Sequence, residues 1–339
     1  MNSPKPSTAW LTLNRKCNNN CSWCYAQRAE KEEMDSKKAK MCIGNLAALG
    51  IKNIVLIGGE PTIYPQIVEI IQYIRDLGLK ASMVSNGRKF SNKDFTKQCL
   101  NAGISGIDIS LKALTPQEYI ENTRADGFEQ CIAGYKNLVE WGFHPTISYV
   151  VCKYNTSDIK RLKDLLIEKD LDDITIQFVK PELSEKANNA IMPLYQMGEI
   201  VSEIYQVFKT CNKHYRVEIS FPLCLINQEI LNILIKEKRV LTCCHVQKGS
   251  GLVIDSNFRI LPCNHFIDMP YDKKSIGLAE KEEILEFWNS EPVERLRRKT
   301  RYYPSSKCMN CKLWDICGGG CFTRWLFESP DMYIKKAIV

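Results

Sequence analysis

Cys17-Asn-Asn-Asn-Cys21-Ser-Trp-Cys24-Tyr25 is the stretch on which the reading of the whole chain turns. It places three thiols within eight residues, among Asn and Ser rather than in an apolar periodic run. Burial as a small apolar side chain therefore does not explain them. Three thiolates so spaced can wrap one small inorganic cluster, and the intervening Asn residues tolerate the positive φ angles such a wrap demands. Structural zinc sites and fully ligated iron–sulfur sites take four ligands, so three leave one metal position open for a substrate or cofactor. A zinc site would need a His as fourth ligand, yet His144, His214, His245 and His265 are all remote in sequence.

Working outward, the chain of 339 residues carries 16 Cys, far above ordinary usage, with 45% hydrophobic and 25% charged residues otherwise typical of a globular protein. Residues 1–16 contain no apolar signal-like segment, so the cysteines are expected in a reducing cytoplasm, as metal or redox ligands. No run of about eighteen apolar residues exists, so no membrane span is expected. The net charge of +7 is small for this length and points to no nucleic-acid partner. Cys42, Cys99, Cys131, Cys152 and Cys211 are scattered singly and read as buried apolar residues.

Short Ile- and Val-rich runs alternate with amphipathic stretches from residue 8 to about 180. The strand expectations are Ala9–Leu13, Asn53–Ile57, Lys80–Ser85, Gly106–Leu111, Thr146–Cys152 and Asp173–Val179. Helices are expected near 35–49, 66–78, 92–102, 129–141 and 156–168, the last capped by Asn155, Thr156 or Ser157. A helix in every gap implies parallel pairing with right-handed crossovers. The predicted fold class is α/β, a partial (β/α)6 TIM-like barrel, whose chemistry sits at the C-terminal ends of the strands. Residues 183–240 read as a mostly helical connector, and residues 241–339 as a hairpin over Gly251–Leu261, one helix near 281–300 and a small Cys-rich domain. The predicted domains are thus 1–182, 183–240 and 241–339.

C-x3-C-x-aromatic-C after a first strand resembles the signature of the radical S-adenosylmethionine (radical SAM) superfamily, with Trp23 in the aromatic slot and Tyr25 following. The resemblance implies a [4Fe–4S] cluster on Cys17, Cys21 and Cys24 whose fourth iron is chelated by S-adenosylmethionine. One-electron reduction, from a flavodoxin- or ferredoxin-type donor, would then give a 5′-deoxyadenosyl radical. The second strand runs into Gly58-Gly59-Glu60-Pro61, where two Gly allow close backbone approach and free N–H groups, and a carboxylate can accept from an ammonium. This looks like the family's GGEP motif, which grips the methionine amino group. Ser85 and Asn86 at the third strand end, and Ser110 and Lys112 at the fourth, match positions that contact ribose and carboxylate. Gln177, at the sixth, matches one lining the adenine.

The tail, Cys308-x2-Cys311-x5-Cys317-x3-Cys321 preceded by Cys243-Cys244 and Cys263, is similar to the seven-cysteine SPASM domain, which binds auxiliary [4Fe–4S] clusters. By resemblance, Cys308, Cys311 and Cys317 share one cluster, while Cys321 joins Cys263 and Cys244 at the other. Two departures stand out. Phe258 occupies the family's Gly position five residues before the hairpin Cys, and residues 322–339 contain no Cys. Two cubanes need eight thiolates and this set supplies seven. One cluster is then absent, keeps an open iron, or recruits His245, His265 or Cys224.

SPASM relatives are predominantly maturases of ribosomally made peptides, which implies abstraction of a hydrogen atom from an unactivated C–H bond of a peptide. The chain reaches its first cluster at residue 17, so a peptide would be presented by a separate leader-recognition protein or gripped directly. Asn264 stands where relatives that oxidise protein side chains carry an Asp base, which disfavours that branch. Cys224 fits either a buried structural thiol or a catalytic hydrogen-atom donor. The alternatives are a radical SAM enzyme acting on a small metabolite, such as a nucleoside or sugar, and a non-catalytic metal-binding sensor.

Overall fold

The structure is a computed structural model, and it describes residues 5–24, 32–181, 190–242, 244–266, 273–274, 279–301, 304–326 and 328–330. Tyr25 and Cys243 lie outside these residues. The chain divides into two compact units, one of Met1–Pro145 with His245–Arg298, the other of Thr146–Cys244 with Lys299–Val339.

In the first unit the strands are β1 (Thr8–Asn14), β2 (Asn53–Gly58), β3 (Lys80–Ser85) and β4 (Ile104–Leu111), parallel wherever their register is defined. Helices α1 (Ser36–Ala48), α2 (Ile67–Asp76) and α3 (Lys93–Ala102) fill the gaps. Their local logic is in the sequence. Asp35 accepts from Lys37 and Lys38 N–H to start α1, Asn92 accepts from Phe95 N–H to start α3, and Gly103 ends α3 at φ 94°. Ile67, Ile70, Ile71 and Ile74, spaced for one helix face, are all buried.

In the second unit β5 (Thr146–Val151), β6 (Ile174–Phe178), β7 (Tyr215–Glu218) and β8 (Val240–Leu241) pair in parallel in that order. The β/α alternation thus continues along the chain as expected for a partial (β/α)6 barrel.

Several expectations need correcting. Two helices between β4 and β5, α4 (Pro116–Thr123) and α5 (Phe128–Glu140), stand where one was expected, because Thr115 and Pro116 begin an extra turn that Arg124 ends at φ 55°. Asn155 does not cap α6 (Ile159–Glu168); its side-chain oxygen instead accepts from Cys152 N–H. The connector carries its two expected helices, α7 (Leu194–Phe208) and α8 (Gln228–Lys236), but also two short strands, β7 and β8, that were not expected. The stretch 281–300 holds two helices, α9 (Lys281–Asn289) and α10 (Glu291–Arg301).

The hairpin forms as β9 (Gly251–Ile254) and β10 (Arg259–Leu261), with β11 (Lys273–Lys274) beside it. It is no separate ornament, because β9 pairs in parallel with β1 from Thr8↔Gly251 to Leu11↔Ile254. At its turn Phe258 donates its N–H to Asp255 O with φ at 63°. A left-handed turn position is where Gly is free of steric cost and an aromatic residue is strained, which accounts for the family's Gly here and leaves Phe258 itself without a structural explanation.

Candidate functional site

The Cys17–Cys24 loop leaves the C-terminal end of β1, and the residues around it in the first unit hold it from three sides. Beneath it, Gly59 N–H donates to Asn14 O at 2.9 Å and Glu60 N–H to Lys16 O at 2.8 Å. A Cβ on Gly58 would stand 2.4 Å from Asn14 O, and one on Gly59 2.2 Å from Lys16 O. The glycine pair is therefore required by the approach of the chain's own backbone, and the Gly59 and Glu60 N–H groups are spent on it rather than on a ligand.

Glu60 also differs from the sequence-based expectation. Its carboxylate is 1% exposed and takes four hydrogen bonds: Thr62 N–H (3.1 Å), Thr62 hydroxyl (2.6 Å) and Ser85 hydroxyl (2.8 Å) on Oε1, and Asn86 N–H (2.7 Å) on Oε2. That is about the full acceptor capacity of a carboxylate, so Glu60 braces the end of β2 to the end of β3 and has little left for an ammonium. The Ser85 hydroxyl is committed to the same brace, and it accepts from Gly87 N–H at 3.0 Å. Pro61 is buried at the start of the Pro61–Ile63 turn.

On the second side, Asn86 donates its amide to Asn18 Oδ1 at 2.7 Å. Arg88, which sequence reading missed, sends Nη1 to Asn18 O (2.6 Å) and Asn19 Oδ1 (2.8 Å). Its other nitrogens reach Asp126 O and Gln130 Oε1. On the third side, the end of α4 accepts two loop N–H groups, Asn20 to Thr123 O and Ser22 to Asn122 O, and Tyr119 OH accepts from Asn19 Nδ2 at 2.9 Å. The three Asn are thus not there for unusual backbone angles: none of Asn18, Asn19 and Asn20 has a positive φ. Asn18 and Asn19 are there for their amides.

The thiols are graded in exposure, with Cys17 exposed, Cys24 half-buried and Cys21 buried. Asn19 N–H donates to Cys17 Sγ at 3.3 Å. Burial pushes the Cys21 thiol up, and the Lys112 ammonium pulls it part of the way back, so Lys112 acts directly on this site. Trp23 and Ser110 are half-buried. Asn14 Oδ1 and Thr12 Oγ1 near the end of β1 are buried without a hydrogen-bond partner among the described residues, leaving polar atoms there for a bound group. Three soft thiols on a braced loop, with an N–H donor to one sulfur, fit an iron–sulfur cluster. Among the described residues no three His, Cys, Asp or Glu side chains gather closely enough for a single metal ion. A cubane asks for something different, because each thiolate meets its own iron and the sulfurs spread around a cube.

Elsewhere, Gln177 is half-buried on β6, in the second unit. Cys244, Cys263, Cys311, Cys317 and Cys321 are half-buried, as is Cys224, and Cys308 is buried. Cys42, Cys99, Cys131 and Cys152 are buried, whereas Cys211 is half-buried. Burial pushes the first three thiols up to about 12, which leaves them inert as nucleophiles or ligands.

Arg88→Ala removes two bonds to the loop and those to Asp126 O and Gln130 Oε1 without touching a thiol. It is expected to lower cluster occupancy after anaerobic reconstitution by about tenfold, in the range found when groups that orient metal ligands are lost. Iron per chain checks this, and unchanged occupancy would show that the loop holds its shape without Arg88.

The profile of the radical SAM superfamily matches residues 11–166, and that of the SPASM iron–sulfur cluster-binding domain matches residues 243–312. An Fe-coproporphyrin III synthase from Methanosarcina barkeri is 29% identical over 98% of this chain and 88% of its own length. A probable GTP 3′,8-cyclase from Metallosphaera sedula is 28% identical over 64% of this chain and 69% of its own. Among solved structures, Streptococcus suis SuiB bound to S-adenosylmethionine superposes with a TM-score of 0.71 at 18% identity, covering 96% of this chain and 75% of SuiB. Native anSMEcpe with bound S-adenosylmethionine gives 0.70 at 15%, covering 93% and 89%. At those identities the likeness is one of fold. No helix among the described residues is long and apolar enough to cross a membrane. The cofactors are a [4Fe–4S] cluster that binds S-adenosylmethionine and, in the SPASM region, auxiliary [4Fe–4S] chemistry. The chain belongs to the radical SAM superfamily, as an enzyme of its SPASM-bearing branch.

Proposed function

We propose that this enzyme abstracts a hydrogen atom from an unactivated C–H bond in the maturation of a ribosomally made peptide. The observation that carries the chemistry is the seat of Cys17, Cys21 and Cys24 on a loop bonded to Asn86, Arg88 and the end of α4. When bound, the cluster and S-adenosylmethionine supply a 5′-deoxyadenosyl radical by one-electron reductive cleavage. The three thiols hold the cluster. With the Gly59 and Glu60 N–H groups, the Glu60 carboxylate and the Glu60 carbonyl already used, the stretch serves the methionine ammonium through the Gly58 and Gly59 carbonyls. Asn86, Ser110, Lys112, Trp23 and Pro61 line the cofactor, and Ser85 positions Glu60. Cys243, Cys244, Cys263, Cys308, Cys311, Cys317 and Cys321 serve the auxiliary clusters. The protein's own work is to place the target carbon beside the radical and keep water out.

The peptide reading is supported by the SPASM tail and by the fold shared with SuiB, which is also known bound to its precursor peptide SuiA. A small-metabolite reading draws on one specific observation, the similarity to the Methanosarcina barkeri protein along almost the whole chain. The test is anaerobic incubation with S-adenosylmethionine and dithionite, offering either a short peptide encoded beside the gene or an iron tetrapyrrole. A change in peptide mass that accompanies 5′-deoxyadenosine is the expected result. Turnover stimulated by the tetrapyrrole alone would overturn the peptide reading, and absence of 5′-deoxyadenosine with both would favour a sensor.

A further inference from the structure

The second unit brings a fourth thiol to the Cys308–Cys317 group. Residues 308–321 are a chain of tight turns: Cys308 N–H donates to Ser305 O, Cys311 N–H to Cys308 O, and Cys317 N–H to Leu313 O. Gly318, Gly319 and Gly320 follow at φ 55°, 76° and 81°, turning the chain back against the segment after β7. There Cys321 N–H donates to Ser220 O at 2.8 Å, and a Cβ on Gly320 would stand 2.6 Å from Phe221 Cα. The contact is backbone on backbone, so it fixes the register of the two segments. One turn further, Leu223 N–H donates to Cys317 Sγ at 3.3 Å, and the next residue is Cys224, in the Leu223–Leu225 turn. The Cys224 thiol is half-buried. It lies one residue from the hydrogen bond to Cys317 Sγ, and Cys308 and Cys311 stand on the same chain of tight turns as Cys317. Three thiols of the tail and one from upstream of it are thus brought to one contact between segments.

We propose that Cys224 is the fourth ligand of the auxiliary cluster held by Cys308, Cys311 and Cys317. The inference rests on the auxiliary-cluster reading of the tail. The fourth thiolate is then supplied from upstream of the tail, by the Leu223–Leu225 turn that touches Cys317. A ligand in this place has little freedom to act as a hydrogen-atom donor, because its sulfur is bound to iron. The neighbouring Leu223 N–H is a hydrogen bond to the sulfur of another ligand, the kind of outer contact that tunes a cluster.

The experiment uses full-length protein in which Cys17, Cys21 and Cys24 are replaced by Ala, so that only auxiliary clusters remain. After anaerobic reconstitution this parent is expected to hold about eight irons. Adding Cys224→Ala is expected to lower that to about four, or to leave a three-iron cluster visible by electron paramagnetic resonance. Cys224→Ser keeps the size of the side chain, and it is read the same way should the Ala variant fold poorly by circular dichroism. Iron content and spectra unchanged by both substitutions would overturn the ligand assignment alone. A parent that binds no iron would overturn the reading of the tail and the assignment with it.

Discussion

Gly59→Ala is expected to cut formation of 5′-deoxyadenosine by about a hundredfold, the scale of loss from misplacing a reacting group by about 1 Å. The added Cβ would lie 2.2 Å from Lys16 O, 2.5 Å from Lys16 C and 2.7 Å from Arg15 O. All three are backbone atoms, so no side chain can swing away. The chain between β1 and Cys17 must move, and it carries the thiol with it. Overpacking of this kind costs about 1–3 kcal/mol, which a domain of ordinary stability survives. The variant should therefore melt cooperatively yet bind less iron at the N-terminal site. Wild-type turnover in Gly59→Ala would mean that the close approach of β2 to the loop is not what places the cluster.

Asp255→Ala is expected to cost about 3–5 kcal/mol, the usual penalty for stranding one half of a buried ion pair. Arg15 sends Nε and Nη2 to Asp255 Oδ1 at 2.9 and 2.6 Å, with both side chains 1% exposed, and Arg259 reaches Oδ2 at 3.0 Å. Truncation leaves two guanidinium groups around a missing carboxylate, one of them fully desolvated. A useful contrast is Lys93→Ala, because the Lys93–Glu140 pair has both side chains more than half exposed and such pairs contribute at most about 1 kcal/mol. Chemical denaturation of the two variants side by side checks the ranking. If Asp255→Ala costs no more than Lys93→Ala, the pair is not the clamp between β1 and the hairpin that its geometry indicates.

The regular strands were readable because parallel, doubly covered strands are concentrated in Ile and Val, and β1 to β6 appear within two residues of their expected limits at each end. What escaped was short or held from afar. β7 has four residues and β8 two, too few for a period-2 pattern to declare itself. Arg88 carries no motif of its own; its loop partners lie about seventy positions earlier, and only the fold brings them together. Arg15 and Asp255 are 240 residues apart and look like two ordinary charges in the sequence. At Gly58–Glu60 the structure gives the residues a different physical role from the expected one. Glycines were expected to make room for a ligand, whereas they make room for β1, and a carboxylate expected to meet the cofactor is spent on Thr62, Ser85 and Asn86.

The parallel pairing of β1 with β9 has a consequence in time. Once β1 is made, its partner on one side, β2, follows within about forty residues. Its other partner begins at Gly251, so at roughly 5–20 residues per second that flank waits on the order of ten to fifty seconds. During this interval an apolar strand edge next to the cysteine loop has no chain to pair with, the condition under which strands seek foreign partners. The Arg15–Asp255 clamp cannot close before then either. Completion of the cofactor end of β1 is therefore a late event in the life of the nascent chain, and iron delivery is best timed after synthesis of the hairpin rather than after synthesis of the cysteines.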